Sequence, residues 1–148
     1  MPNANIKPSD RAPVLAVIDP DAYTAATYTS GWVDMSLWES LQAIVFAGTL
    51  GSGATLDAKL EQATSAAGAG AKDITGKAIT QLTQAGTDSD KQAVINCQSE
   101  DLDVEGGFRY VRLSMTVGNA TSDAGGVVLG MDPRYAPTDA STVDEVVG

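Results

Sequence analysis

The chain has 148 residues and a formal net charge of −10, with 43% apolar and 19% charged side chains, which is typical of one globular domain. It contains no histidine, which excludes Ser-His-Asp and Cys-His mechanisms, imidazole metal ligation and the usual general base near neutral pH. Its acidity argues against direct nucleic-acid binding, which needs a basic surface. The single Cys97 excludes an internal disulfide and a cysteine-based zinc site, and it is predicted to be a small buried hydrophobe.

Residues 1–12 are predicted to form an extended arm, because Pro8 and Pro13 discourage both helix and sheet pairing. The arm does not have the pattern of a signal peptide, and no apolar run approaches the ~20 residues that span a bilayer. The sequence therefore predicts no membrane association. Lys7 and Arg11 place two of the nine basic residues on this arm. We expect the arm to contact another subunit, since extended segments gain most from docking on a partner.

The first predicted strand is short and covers residues 14–18. Asp19-Pro20-Asp21 follows it with the composition of a turn. A helical turn is predicted within residues 34–41, where Ser36 and Glu39 have the spacing of a capping box.

The centre of the chain is predicted to be a β-hairpin. Residues 41–47 are the most apolar run, and residues 55–62 alternate polar and apolar side chains, as a strand with one buried face does. The glycine-rich residues 48–53 between them suit a hairpin loop. These glycines also have the spacing of a P-loop, but Ala54 stands where the phosphate-binding lysine is needed. A helix over residues 56–71 is the competing interpretation of the second strand.

The second half of the chain adds further strands. They are predicted at residues 78–83, 92–98, 108–117 and 126–131, with a small-residue loop over 63–76. About eight short strands separated by turn signals indicate an all-β, single-domain β-sandwich, jelly-roll-like in architecture. The domain is predicted to cover residues 13–137, followed by an acidic tail at 138–148.

Several acidic groups are candidates for chemistry. Glu100, Asp101, Asp103 and Glu105 form an acidic run that suggests a calcium site, although such runs are more often solvated faces. The pairs Asp19/Asp21 and Asp88/Asp90 have the residue type of glycosidase carboxylates, but nothing in the sequence brings them together. We therefore predict no catalytic residues, no metal and no cofactor, and a protein that is not an enzyme.

Aromatic and basic residues are the candidates for an interface. Trp32 and Trp38 are predicted to pack in the core or to form a binding surface, where tryptophan is enriched. Arg112 falls on the wet face of its strand and is predicted to pair with an acid on a neighbouring strand or with a partner. Arg134 and Tyr135 lie at the end of the last strand, and together with Trp32, Arg112, Lys7 and Arg11 they complete the predicted interface set.

Four stretches carry a resemblance to a known family. They are WVDM at 32–35, LQAIVFAGTLGSGATLDAKLEQA at 41–63, ITGKAITQLTQAGTDSD at 74–90 and FRYVRLSMTVGNATSDAGGVVLGMDPRYAP at 108–137. With this series the chain resembles small virion proteins encoded in the head-gene region of tailed bacteriophages and prophages. The matching motifs are patterns of strand and turn, so they speak to fold and context rather than to mechanism.

The resemblance implies a capsid decoration (cement) protein. Such a protein is made in the bacterial host cytoplasm, binds the major capsid protein on the outer surface of the head, and is expected to be a homo-oligomer, with a trimer favoured by analogy with capsid lattices. A head-completion or tail structural protein fits the same resemblance. A sugar-binding β-sandwich module is the main alternative from another class, and a carboxylate-dependent glycosidase is a third.

Overall fold

The computed structural model describes residues 6–135 and 142–148, and in these residues the chain is almost entirely β. One helical turn, α1 (Pro8–Arg11), comes first, and one 3-10 turn covers Ser99–Asp101. The ten strands of the described part are β1 (Val14–Tyr23), β2 (Ala26–Thr29), β3 (Val33–Asp34), β4 (Trp38–Ala47), β5 (Thr55–Ala63), β6 (Lys72–Ala78), β7 (Leu82–Thr83), β8 (Gln92–Gln98), β9 (Tyr110–Gly118) and β10 (Ser122–Pro133). No helix among these residues is long and apolar enough to cross a membrane.

The strands of the described residues form two antiparallel sheets. Sheet A has the order β1-β10-β4-β8; sheet B has the order β2-β9-β5-β6, with β3 also paired to β9 and β7 to β5. The pairs are nested, because β1 pairs with β10, β2 with β9, β4 with β8 and β5 with β6. One long antiparallel ribbon, rolled so that its strands fall into two facing sheets, gives this nesting, which is the jelly roll. The predicted jelly-roll-like β-sandwich is therefore confirmed.

The core lies between the inward faces of the two sheets. Leu41 and Val45 of β4 face it from sheet A, and both are almost fully buried. Leu60 of β5 and Leu113 of β9 face it from sheet B, and each is 0% exposed, as the alternation in these strands predicts. Period-two alternation thus assigned the buried face of the strongest strands correctly.

The predicted central hairpin is wrong. β4 pairs with β10 and β8 in sheet A, whereas β5 pairs with β9, β6 and β7 in sheet B. Residues 48–54 cross from one sheet to the other. Within this crossing, Gly48 N donates to Asp123 O at 2.7 Å and Gly51 N donates to Ser122 Oγ at 3.1 Å.

The glycines of this crossing allow both a close approach and a turn, which the Ala54 N–H closes by donating to Gly51 O at 2.9 Å. A Cβ on Gly48 would lie 2.8 Å from Asp123 Cβ, and Gly53 is the glycine of this stretch with a positive φ, +73°. The backbone N–H groups are also engaged, since Gly53 N donates to Gln84 Oε1 at 3.2 Å. They therefore do not form the open anion cradle of a P-loop, in agreement with the rejection of that motif.

The N-terminal arm is not extended throughout. Pro8–Arg11 forms a single helical turn, with proline at its start, a position where its missing N–H removes no helical bond. Strand β1 also continues beyond residue 18 to Tyr23, with a register shift between Ile18 and Asp21. Pro20 is tolerated within it because β1 is at the edge of sheet A.

Two other local predictions need correction. The helical turn predicted within residues 34–41 is shortened to a turn at 35–36, in which Asp34 Oδ1 accepts the Ser36 N–H at 2.9 Å, because β4 begins at Trp38. The predicted loop over 63–76 contains the start of β6 (Lys72–Ala78), and the strand predicted at 78–83 is reduced to β7 (Leu82–Thr83). β5 is a strand and not the competing helix.

Part of the predicted tail contacts the domain. Thr142 donates its N–H to Val14 O at 2.9 Å, at the start of β1. Residues 138–141 of the predicted tail lie outside the described residues. The division into arm, domain and tail at 1–12, 13–137 and 138–148 stays a prediction.

Cys97 is fully buried, and burial raises the pKa of its thiol to about 12. We expect the native protein at pH 8 to react with a chromogenic disulfide reagent about 1,000-fold more slowly than the unfolded protein, because the thiolate is the reacting form and the higher pKa lowers its fraction. The measurement is the absorbance rise with and without denaturant, with Cys97→Ser as the blank. Equal rates in both states would show that Cys97 is accessible.

Candidate interaction surfaces

The outer face of sheet B is polar, and its central charges are paired. Arg112 on β9 lies opposite Glu61 on β5, and its Nε donates to Glu61 Oε1 at 2.9 Å. These side chains are 26% and 16% exposed, whereas those of the neighbouring Lys59–Asp73 pair are 41% and 64% exposed. The acidic cross-strand partner predicted for Arg112 is therefore present. Its partial burial makes it less screened than an ordinary surface pair.

Trp32 covers this ion pair. The guanidinium carbon of Arg112 lies 4.5 Å from the centre of the Trp32 ring, in the geometry of a cation–π contact. Gly68, with φ of +85°, approaches the indole closely, since a Cβ there would lie 2.9 Å from Trp32 Nε1. Trp38 is 6% exposed and packs in the core. Neither tryptophan is an open stacking platform for a sugar ring.

Arg134 and Tyr135 follow the end of β10. Arg134 pairs with Glu39 at 3.0 Å and donates to Ser99 Oγ at 2.8 Å. Tyr135 is 71% exposed. A cavity of about 320 Å³ adjoins Arg134, and Met35 and Phe108 also line it. This end of the molecule is therefore built on charge pairs with an exposed aromatic beside them.

Lys7 is the N-cap residue of α1 and Arg11 is its last residue, and this helical turn packs against β10 of sheet A. Both residues are exposed. The six predicted interface residues thus fall into three groups rather than one patch. Trp32 and Arg112 are on the outer face of sheet B, Arg134 and Tyr135 follow β10, and Lys7 and Arg11 lie at the start and the end of α1.

The acidic run at 100–105 is used within the fold. Asp101 Oδ2 accepts the Gln98 N–H at 2.7 Å, and this bond, with the Lys77 ammonium at 3.2 Å, holds the pKa of Asp101 below its usual value. The Lys72 ammonium, 2.7 Å away, lowers the pKa of Asp103 in the same way. In residues 6–135 and 142–148, no group of three or more His, Cys, Asp or Glu side chains is placed to hold a metal ion.

The carboxylate pairs also have local roles. Asp88 Oδ2 accepts the Thr83 N–H at 3.0 Å, and Lys91 pairs with Asp88 Oδ1 at 2.8 Å. Asp21 Oδ1 accepts the Ala22 N–H at 2.7 Å. These contacts hold turns and the β1 edge in place.

The outer face of sheet A is a surface that the sequence analysis missed. One row of outward side chains crosses the whole sheet in register, from Val17 on β1 through Val127 on β10 and Ile44 on β4 to Val94 on β8. Val17 is 40% exposed and Val94 is 51% exposed. Antiparallel sheets usually present polar side chains on the face that does not cover the core, as sheet B does.

A groove continues this apolar row toward one end of the sheet. It has a volume of about 570 Å³ and is lined by Val17, Pro20, Phe46, Gly125 and Val127, among others. Phe46 is 44% exposed there.

Acidic side chains border the groove. Asp19, Asp21 and Asp123 are among its lining residues, and all three are exposed. In the described part of the chain, none of the three forms an ion pair, in contrast to Glu61 and Asp73 on sheet B.

Comparisons with known proteins concern the fold. No protein-family model and no curated protein sequence matches this chain. It is similar to a chain in the cryo-EM structure of Broad Bean Stain Virus, with a TM-score of 0.50 and 9% identity over 99% of each chain. It is also similar to chains in structures of the Gt and Gx strains of infectious bursal disease virus, with TM-scores of 0.44 and 0.43 and identities of 14% and 15%. These matches cover 95% of this chain but 38% and 40% of those chains.

Proposed function

We propose that this chain is a structural protein of a virion, and more narrowly a decoration (cement) protein on the head of a tailed bacteriophage. The observation that carries the proposal is the nested strand order of a jelly roll, an architecture used by viral capsid domains. The similarity to a chain of the Broad Bean Stain Virus structure over 99% of both chains also supports a structural role in a virion. The narrower role rests on the resemblance of the sequence motifs to head-gene virion proteins.

The same architecture also serves lectins and cupins, so surface chemistry has to separate these functions. A sugar-binding module needs open aromatic rings; Trp38 is buried and Arg112 stacks on Trp32, which leaves Tyr135, 71% exposed, as the candidate ring of the three. A metal-dependent enzyme would have to do without imidazole, since the chain has no histidine. These features favour a binding role without catalysis.

The proposed mechanism is stabilisation by mass action. A decoration protein that binds the assembled, expanded shell and not its separate subunits shifts the equilibrium toward the intact shell. The partner would be the major capsid protein, on the outer surface of the virion after synthesis in the host cytoplasm. A net charge of −10 keeps the chain from competing for packaged DNA. A trimer is the proposed oligomer, by analogy with the local three-fold positions of capsid lattices.

Binding to particles tests this function. Purified protein is mixed with emptied heads of the virus that encodes it, sedimented, and located by particle reconstruction. We expect it on the outer surface in many copies, and the decorated heads to withstand a higher temperature. Density confined to a single vertex or to the tail would instead assign the head-completion or tail role. Absence of the protein from sedimented heads would overturn the proposal.

The N-terminal arm is proposed to contribute to attachment. Deleting residues 1–12 is expected to leave the fold intact, because β1 starts at Val14 and Pro13 O still accepts the Gly130 N–H at 3.1 Å. Binding to heads should weaken, since Lys7 and Arg11 are lost. Circular dichroism melting and head co-sedimentation measure the two effects. A truncated protein that saturates heads at the same concentration would show that the arm has no part in binding.

A further inference from the structure

We infer that the outer face of sheet A is the docking surface of this chain, and that it takes a protein segment carrying an apolar side chain flanked by lysine or arginine. This inference deepens the proposed function and rests on it, because the segment would belong to the shell. The surface comprises the apolar row Val17–Val127–Ile44–Val94, together with Phe46 and the acidic groove beside it.

The apolar row on the outer face of sheet A is continuous. Its four residues occupy one register position on four neighbouring strands, so they form an unbroken band across sheet A. Val94 at one end and Val17 at the other are 51% and 40% exposed. Single exposed apolar residues need no explanation, but a contiguous exposed band is typical of an interaction site.

The surface beside the apolar row is concave. The groove of about 570 Å³ follows the band at the end of β1 and has Phe46 on one wall and Pro20 on another. Gly125, opposite Phe46 in the register, has no side chain, and the backbone of β1 at Pro20 occupies the space that one would take. A Cβ at Gly125 would lie 3.0 Å from Pro20 Cα, so the groove floor is closely packed backbone. A single apolar side chain of a partner fits such a concave site.

The border of the groove is negatively charged. Asp19, Asp21 and Asp123 border the groove as exposed carboxylates, and none of them has an ion-pair partner among the described residues. On sheet B the strand acids Glu61 and Asp73 are matched by Arg112 and Lys59. Unmatched acids around an apolar groove are complementary to a segment with basic residues on both sides of its apolar anchor.

The negative charge of this surface also disfavours a second copy of the chain as the partner. A second copy docked face to face would bring two sets of these carboxylates together, in a molecule whose net charge is already −10. The tail of the chain has apolar Val143 and Val146, but Asp144 and Glu145 lie between them. Repulsion between like charges therefore disfavours both a second copy and the tail of this chain as the occupant of the groove.

Matched substitutions at two exposed valines test the inference on purified heads. Val94→Lys places a positive charge on the band, and Val104→Lys places the same charge in the loop between β8 and β9. Val94 and Val104 are 51% and 66% exposed, so neither change disturbs the core. We expect Val94→Lys to weaken head binding about tenfold or more and Val104→Lys to leave it unchanged. Val94→Glu removes the same valine but attracts a basic segment, so it should lower the affinity for heads by less than Val94→Lys does.

The acidic border is tested by the triple variant Asp19→Asn, Asp21→Asn, Asp123→Asn. We expect weaker binding and a flatter dependence of affinity on salt than in the wild type, because fewer charges remain to be screened. Melting temperatures of all variants identify any that fail to fold. If Val94→Lys fails to fold, Val94→Glu is the variant that tests the band.

The outcomes separate this inference from the proposed function. If wild type, Val94→Lys and the triple variant bind heads equally well, the docking surface is elsewhere and the proposed function stands. If wild type does not bind heads, the proposed function fails and the inference falls with it. Sedimentation velocity covers the remaining case. A wild-type oligomer that Val94→Lys converts to monomer, with head binding unchanged, would assign the face to a second copy and overturn the inference.

Discussion

Leu113→Ala is expected to lower the free energy of unfolding by about 2–5 kcal/mol. Leu113 is 0% exposed and lies at the centre of β9, directly opposite Leu60 on β5. Its side chain also reaches sheet A, because a Cβ added to Gly126 on β10 would lie 2.7 Å from Leu113 Cδ2. Truncation therefore removes a contact between the two sheets and leaves a cavity that the packed β strands cannot close. Leu60→Ala should fall in the same range.

Chemical denaturation measures this change, and Leu37→Ala is the matched control. Leu37 is 46% exposed and precedes β4, so the same truncation there should alter stability by less than about 1 kcal/mol. If Leu113→Ala and Leu37→Ala unfold at the same denaturant concentration, Leu113 does not face the core, and the inward and outward faces of β9 are exchanged.

The parts of the fold that the sequence predicted depend on local alternation. In β9 the alternation of Val111, Leu113 and Met115 with Arg112 assigns both faces of the strand, because a period of two leaves no other assignment. The same argument placed Arg112 on the wet face, where the structure pairs it with Glu61. Alternation is a property of one strand, and it holds whichever strands are its neighbours.

Strand pairing could not be predicted in the same way. β4 and β5 are consecutive and strongly patterned, yet they belong to different sheets. A glycine-rich segment of seven residues, 48–54, has the composition of a hairpin loop and also that of a crossing that packs against another turn. Whether the segment turns back as a hairpin or crosses to the other sheet depends on its contact with residues 118–123, about seventy positions away in the chain. No local pattern contains that contact.

The apolar face of sheet A left a signal in the sequence that the hairpin prediction obscured. Residues 41–47 are apolar at nearly every position, and residues 127–129 repeat this in β10. A continuous apolar run in an antiparallel strand has to expose part of its apolar side chains when the strand has one core face. The exposed part here is Ile44 and Phe46 on β4 and Val127 on β10. Counting the apolar residues on both faces would have predicted an apolar outer face on sheet A.

The crossing between the sheets leads to the second large prediction, which is that Gly51→Ala lowers the free energy of unfolding by about 1–3 kcal/mol. A Cβ at Gly51 would overlap the backbone carbonyl oxygen of Thr121 and lie 2.8 Å from Ala120 Cβ. Both obstacles belong to the turn between β9 and β10, and a backbone carbonyl cannot move aside as the end of a long side chain can. The crossing would have to shift, and the bond from Gly51 N to Ser122 Oγ at 3.1 Å would be lost.

Gly31→Ala is the control for this substitution, because nothing lies within 4 Å of a Cβ at Gly31 and its φ lies outside the left-handed region. It is expected to change stability by less than about 1 kcal/mol, in the stabilising direction if at all, since alanine restricts the unfolded chain. Denaturant unfolding of the two variants beside the wild type makes the comparison. Equal stability of Gly51→Ala and Gly31→Ala would mean that residues 48–54 do not pack against residues 118–123. The crossing would then be free to turn back as the hairpin that the local sequence suggests.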